Sequence, residues 1–282
     1  MFLALACVGG WGLPACGGTA REVQKSKKRV DLAKDLLSHE QDAAAETELK
    51  KAIAYDPRNE EAINLLGLVY VFRAHRNVLL VEYEDCLQGS VADGLRTEAE
   101  EQMRTAERYF SEATKLAPDF GEAWQNRAAV AVFFHDWDKA IAHAKRALGQ
   151  LARLNRESMA RANLGWAYFH KQEHARAAAE LLQATQRDPG FCLGNYRMAA
   201  LHFELKELDQ AASRVAPLID DPKKCPVQEA RYLAGQVYIR LHDSAAAERA
   251  LRSCVEMAPK SCQAKRCART LQEIAGQAGR LE

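Results

Sequence analysis

The chain has 282 residues, of which 48% are hydrophobic and 27% charged, and its formal net charge is +1. That length holds one large domain or two ordinary ones, and that balance buries a core, which excludes an intrinsically disordered chain. The near-neutral charge excludes nucleic-acid binding driven by bulk electrostatics, and the excess of Ala, Leu, Glu, Lys and Arg over β-branched residues favours helix.

Residues 1–20 read MFLALACVGGWGLPACGGTA, apolar, small and uncharged, before a charged run that begins at Arg21. The stretch is too short and too rich in Gly to span a bilayer. It is similar to a secretory signal, and Leu13-Pro14-Ala15-Cys16 resembles a bacterial lipobox. On that likeness residues 1–15 are a signal peptide, Cys16 is the acylated first residue of the mature chain, and 16–25 are the lipidated tether. Gly17 after Cys16 fits sorting to the outer membrane. Two features depart from the pattern: there is no basic leading segment, and Pro14 is less usual there. Cys7, after Leu5-Ala6, is a rival site, and a buried N-terminal helix is the alternative reading.

From Ser26 a 34-residue frame recurs. In the first copy Leu32, Ala33, Leu36, Ala45, Leu49, Ala52 and Pro57 fall at positions 7, 8, 11, 20, 24, 27 and 32. The second begins at Glu60 with Leu66, Gly67 and Tyr70, and its second half resumes late, at Ala106, Phe110, Ala113 and Pro118. The third begins at Gly121, the fourth at Ser158, the fifth at Cys192 and the sixth at Gln228. The fourth is the clearest, with Leu164, Gly165, Tyr168, Ala177, Leu181, Ala184 and Pro189 in frame. This spacing resembles the tetratricopeptide (TPR) signature, a helix–turn–helix unit with small residues where two helices touch. The predicted fold is therefore all-α: a superhelix of six repeats over residues 26–260, an insertion at about 76–101 in the second, and a capping helix over 261–282.

In such an array the first helix of each repeat lines a groove, chiefly through positions 2, 5, 6, 9, 12 and 13. Those positions nominate Phe72, Asn126, Val132, Phe133, Asn163, Trp166, Phe169, Tyr196, Phe203 and Ile239 as partner contacts. An exposed apolar stripe of this kind marks a protein-binding surface. The opposing reading is that curvature or the insertion buries much of it. The insertion itself reads either as an extra helical turn with a loop or as a long second helix beginning near Thr97.

Catalysis finds little support. His170-Lys171-Gln172-Glu173-His174 matches an inverted zinc-protease motif, but it falls where a first helix ends, so the two histidines need not share a face. No catalytic residue, metal or cofactor is expected. Of the six cysteines beyond the leader, five crowd the last third, which in an exported chain points to disulfides. Cys192 and Cys225 sit at the starts of successive first helices, where a bond staples repeat five to six. Cys254 faces the helix carrying Cys262 and Cys267 and can pair with either. Those last two are poorly placed to pair with each other.

Together, the lipobox and the six repeats resemble the type IV pilus pilotins, the PilF/PilW group of TPR lipoproteins. The segments FCLGNYRMA (Phe191–Ala199), KKCPVQEARYLAG (Lys223–Gly235) and CVEMAPKSCQAK (Cys254–Lys265) resemble its social-motility subgroup. The resemblance implies a non-enzymatic lipoprotein on the periplasmic face of the outer membrane, anchored in the bilayer through Cys16. It implies that the partner is the secretin of the pilus machine, which such proteins help to localise and assemble as a multimer. A generic periplasmic TPR adaptor is the second reading.

Overall fold

The computed structural model describes residues 19–84, 86–219 and 224–278. The predicted signal peptide and Cys16 lie outside them. Among the described residues thirteen α-helices form six hairpins and a cap. The hairpins are α1 (Ala20–Ser38) with α2 (Asp42–Tyr55), α3 (Glu60–Val78) with α4 (Ser90–Leu116), and α5 (Gly121–Phe133) with α6 (Trp137–Leu148). They continue with α7 (Glu157–His170) and α8 (His174–Arg187), α9 (Cys192–Glu204) and α10 (Leu208–Ile219), α11 (Gln228–Arg240) and α12 (Ser244–Met257). The cap is α13 (Cys262–Ala278), and no strand occurs among the described residues.

Five hairpins turn on one backbone device. Glu40, His135, Gln172, Lys206 and His242, all at frame position 15, hold φ between 55° and 61°. The next residue's N–H then reaches back to the carbonyl five before it: Gln41 to Leu36, Asp136 to Ala131, Glu173 to Tyr168, Glu207 to His202 and Asp243 to Tyr238. This is a Schellman closure, made here without glycine. The return turns use proline. Pro57, Pro118, Pro189 and Pro259 each follow the residue whose carbonyl accepts the N–H three positions on, as in Asp56 with Asn59 and Asp188 with Phe191. Proline's fixed φ suits the second place of such a turn.

Small residues set how closely each pair packs. A Cβ at Gly165 would lie 2.7 Å from Leu181 Cγ and 3.2 Å from the Ala177 carbonyl, and Ala177, Leu181 and Ala184 are fully buried in the same cluster. At Gly67 the Cβ would meet the ring of Phe110 at 2.5 Å. Each first helix packs on its own second helix, and successive first helices also touch one another: α1 with α3, α5 with α7, α7 with α9, α9 with α11 and α11 with α13. Successive second helices make no comparable contact, so the first helices form the inner, concave wall.

The second hairpin departs from the frame. Its position 15 is Ala74, which stays helical and buried against Ala99, Met103 and Phe110. With no turn there, α3 runs on to Val78 and continues as a π-helical segment, Leu79–Glu84. The second helix begins at Ser90, after Gly89 at φ 76°, rather than near Thr97. The insertion is thus mostly an elongated hairpin with its own core. Its tip forms a strap that crosses from repeat two to the far end of the array. There Val81 is fully buried, the Tyr83 hydroxyl donates to the Glu229 carboxylate on α11, and Cys86 is bonded to Cys262 at the start of α13.

All six described cysteines are paired. Cys192–Cys225 joins α9 to the segment before α11, and Cys254–Cys267 joins α12 to the cap. Cys86, to which the sequence assigned no partner, takes Cys262 and leaves Cys267 for Cys254. The first and last hairpins each carry a buried tie between their own two helices: Ser26 Oγ donates to the Ala52 carbonyl, and Gln228 Nε2 to the Cys254 carbonyl.

Candidate partner-binding groove

The inner wall between α5 and α11 carries a run of aromatic rings. Trp166 and Phe169, one helical turn apart on α7, stack at 4.9 Å between centroids. His170 stands edge-on to Trp166 at 4.6 Å and lies flat on Trp137 at 4.1 Å, 4° from parallel. His135 also stacks on Trp137, at 5.2 Å. Towards the next repeat, Tyr196 lies 6.2 Å from Trp166. Burial, then His135 and Arg197 nearby, lower the His170 pKa.

The polar floor of this wall is internally engaged. Asn126 Nδ2 donates to Asn64 Oδ1 at 3.0 Å, and Asn163 Oδ1 accepts from Arg197 at 2.9 Å while only 3% exposed. Neither asparagine is presented to a partner as the repeat positions suggested, because each is used to join neighbouring first helices. Arg197 itself escaped sequence reasoning: position 6 of its repeat carries a guanidinium where two earlier repeats carry Asn. It lies over Trp166 at 5.4 Å, and burial lowers its pKa to about 10.

The other predicted groove residues divide. Phe72 is 43% exposed and, with Leu37, His75 and Leu79, lines a hollow near the root of the strap. Val132 packs on Ala131, Ala140, Ala167 and Trp137. Phe133 sits edge-on to Phe134 at 5.1 Å beside the elongated hairpin. Phe203 is half-buried beneath the Arg240 guanidinium. Ile239 packs against Leu251, Cys254 and Cys267 and so serves the cap rather than an open groove. Tyr196 is half-buried between two core clusters; burial and then the Glu229 charge raise its pKa. The strap ends beside it. Burial, then Glu229, raises the Tyr83 pKa in the same way, with Tyr196 a further cause. The insertion therefore occupies the C-terminal end of the inner wall; of the predicted groove aromatics, Phe72 is exposed and Trp166, Phe169 and Phe203 are half-buried.

The histidine motif does not assemble. His170 ends α7, His174 begins α8, and Gln172 turns between them at φ 60°. No group of three metal-binding side chains occurs among the described residues, and no described helix is long and apolar enough to cross a membrane.

Two tetratricopeptide-repeat family models match, over residues 127–190 and 228–261. The fold is a tetratricopeptide-repeat superhelix. Among solved structures, PilW, described as a widely conserved type IV pilus biogenesis factor, is 18% identical with a TM-score of 0.60, over 86% of this chain and 97% of PilW. PilF of Pseudomonas aeruginosa is 14% identical with a TM-score of 0.64, over 87% and 97%. Human IFIT1, solved as a dimer with m7Gppp-AAAA, is 13% identical with a TM-score of 0.62, over 91% of this chain and 64% of IFIT1. At these identities the likeness is one of fold. No curated protein sequence matches.

Proposed function

We propose that this chain is a pilotin: an outer-membrane lipoprotein, acylated at Cys16, that binds secretin subunits and promotes their assembly for type IV pilus biogenesis. The observation that carries the reading is the extent of the fold match. The solved chains of PilW and PilF are each covered over 97% of their length, so the match spans the array and not a single repeat. The three disulfides support export, because such bonds persist in oxidising compartments. Within this reading the half-buried aromatic run at Trp166, Phe169 and Phe203 grips an apolar segment of the secretin. The scaffold positions a partner and performs no chemistry.

Capture of secretin from solubilised membranes tests the groove. Wild type retains it, and Phe169→Ala with Phe203→Ala weakens retention; equal recovery counts against groove binding. Membrane fractionation of Cys16→Ala tests the anchor, since a variant still found in the outer membrane removes it. A second reading, a periplasmic adaptor for another envelope assembly, draws support from the breadth of the fold, which IFIT1 shares. Loss of secretin multimers and of surface pili together on gene deletion favours the pilotin over the adaptor.

A further inference from the structure

The outer flank of the first helix carries charge that the fold does not use. Residues 20–29, the first half of α1, hold Arg21, Lys25, Lys27, Lys28 and Arg29 against one carboxylate, Glu22, for a net charge of +4. The whole chain is +1, so everything else sums to −3. Helix stability does not account for these cations, because the first turns of a helix favour negative charge. Glu22 is itself engaged at the N-cap, where it accepts from the Thr19 N–H at 2.7 Å.

The two flanks of α1 differ. Ser26, Val30 and Ala33 are buried on the side where α1 packs on α2 and touches α3. The cations beside that contact are paired, Arg29 with Glu48 and Lys34 with Glu61, each at 2.6 Å. Arg21, Lys25, Lys28 and Leu32 follow one another at four- and three-residue spacing, which puts them together on the opposite flank. All four are exposed, Leu32 by 42%. Lys25 lies over the Tyr55 ring, while Arg21 and Lys28 form no ion pair among the described residues. The acidic Asp31 and Asp35 come further along the helix, so the cationic part is the end nearest Cys16.

This arrangement suits a surface of anions rather than one anionic ligand. The three cations are spread along about 10 Å of helix and do not converge on a point. Their place in the chain decides between a bilayer and an acidic protein. Arg21 follows Cys16 by five residues, at most about 18 Å of extended chain, so a lipid on Cys16 holds this flank at the membrane surface. An acyl anchor and a basic patch together bind a membrane more firmly than either alone.

We propose that the outer flank of α1, through Arg21, Lys25 and Lys28 with Leu32, docks on the anionic headgroups of the membrane. The inference rests on the lipid anchor of the pilotin reading and adds an orientation, with the first hairpin set against the bilayer.

Vesicle flotation of the full chain carrying Cys16→Ala, which cannot be acylated there, tests it. The vesicles are phosphatidylcholine alone, or phosphatidylcholine mixed with phosphatidylglycerol. Three cations at about fivefold each predict at least tenfold tighter binding to the anionic vesicles, lost at high salt as the charges are screened. Arg21→Gln with Lys25→Gln and Lys28→Gln removes the preference and leaves the thermal midpoint unchanged, since these side chains are exposed. Removing as much charge from exposed positions on the second helices, by Arg108→Gln with Lys115→Gln and Arg249→Gln, keeps it. Equal binding to both vesicles overturns the proposal and leaves an acidic protein as the partner of this flank. A preference that survives the α1 substitutions, or that both triple variants lose equally, overturns it as well. The assay involves neither acylation nor secretin, so its failure leaves the pilotin reading standing. In membrane fractionation a high-salt wash removes electrostatic docking and so separates it from the lipid anchor.

Discussion

Removing the Cys86–Cys262 bond, by Cys86→Ala with Cys262→Ala, is expected to weaken the fold more than removing any other pair. The bond closes a loop with a sequence separation of 176 residues. Chain-entropy bookkeeping gives about 5 kcal/mol for a loop of that size, against about 3 kcal/mol for the 13-residue separation of Cys254–Cys267. The Cys192–Cys225 bond shortcuts a separation of 33 residues within the larger loop, but the logarithmic dependence leaves the figure at about 5 kcal/mol. Measured gains usually fall short of this bound, so a loss of about 2–5 kcal/mol is expected. Urea unfolding in non-reducing buffer, followed by circular dichroism, checks it. The midpoint should fall and the slope with urea should rise, because the freed denatured chain is more expanded. An unchanged midpoint and slope, or a larger loss from Cys254→Ala with Cys267→Ala, refutes the reasoning.

Phe110 is fully buried against Gly67, so Phe110→Ala should cost about 3–5 kcal/mol in the same urea assay. Gln172 and Lys206 hold left-handed backbone, which costs an L-residue roughly 1–2 kcal/mol. After the extra entropy glycine loses on folding, Gln172→Gly or Lys206→Gly should raise stability by about 0.5–1 kcal/mol; a lowered thermal midpoint contradicts this. His143 has its pKa lowered to about 4 by burial, then by Arg127 and Lys139. The unfolded ring binds its proton near pH 6.5 and the folded ring only near 4, so its contribution is present above 6.5 and is lost as pH falls towards 4. Allowing for the ring's partial exposure, the loss is about 1–2 kcal/mol, and His143→Phe should flatten that part of the stability–pH curve. Glu107 acts in the opposite sense: burial outweighs its bond to Arg127 and raises its pKa, so it adds relative stability as pH falls.

The repeats were legible because their signal is local. Gly165, Ala177 and Ala184 recur where helices touch, and Pro189 recurs at the return turn, so spacing alone carries the hairpins. The first turns were less visible, since Glu40, His135, Gln172, Lys206 and His242 share a backbone conformation and no residue type. The strap was not legible, because Tyr83 meets Glu229 across 146 residues and no periodicity encodes such a contact. For the same reason Cys86 had no evident partner. In the groove, frame positions located the inner wall but could not tell which side chains it consumes. Asn163 and Ile239 occupy groove positions, yet one holds Arg197 and the other the cap.

The strap also changes how the molecule must be made. An open array of repeats can fray from either end and form its neighbours in any order. Here the second hairpin is finished only when the last helix arrives, because the thiol of Cys86 waits for Cys262 while Cys192, Cys225 and Cys254 emerge between them. Oxidation in order of appearance would trap Cys86 with the wrong partner. Correct maturation therefore calls for thiol pairing that stays reversible until the whole chain has emerged.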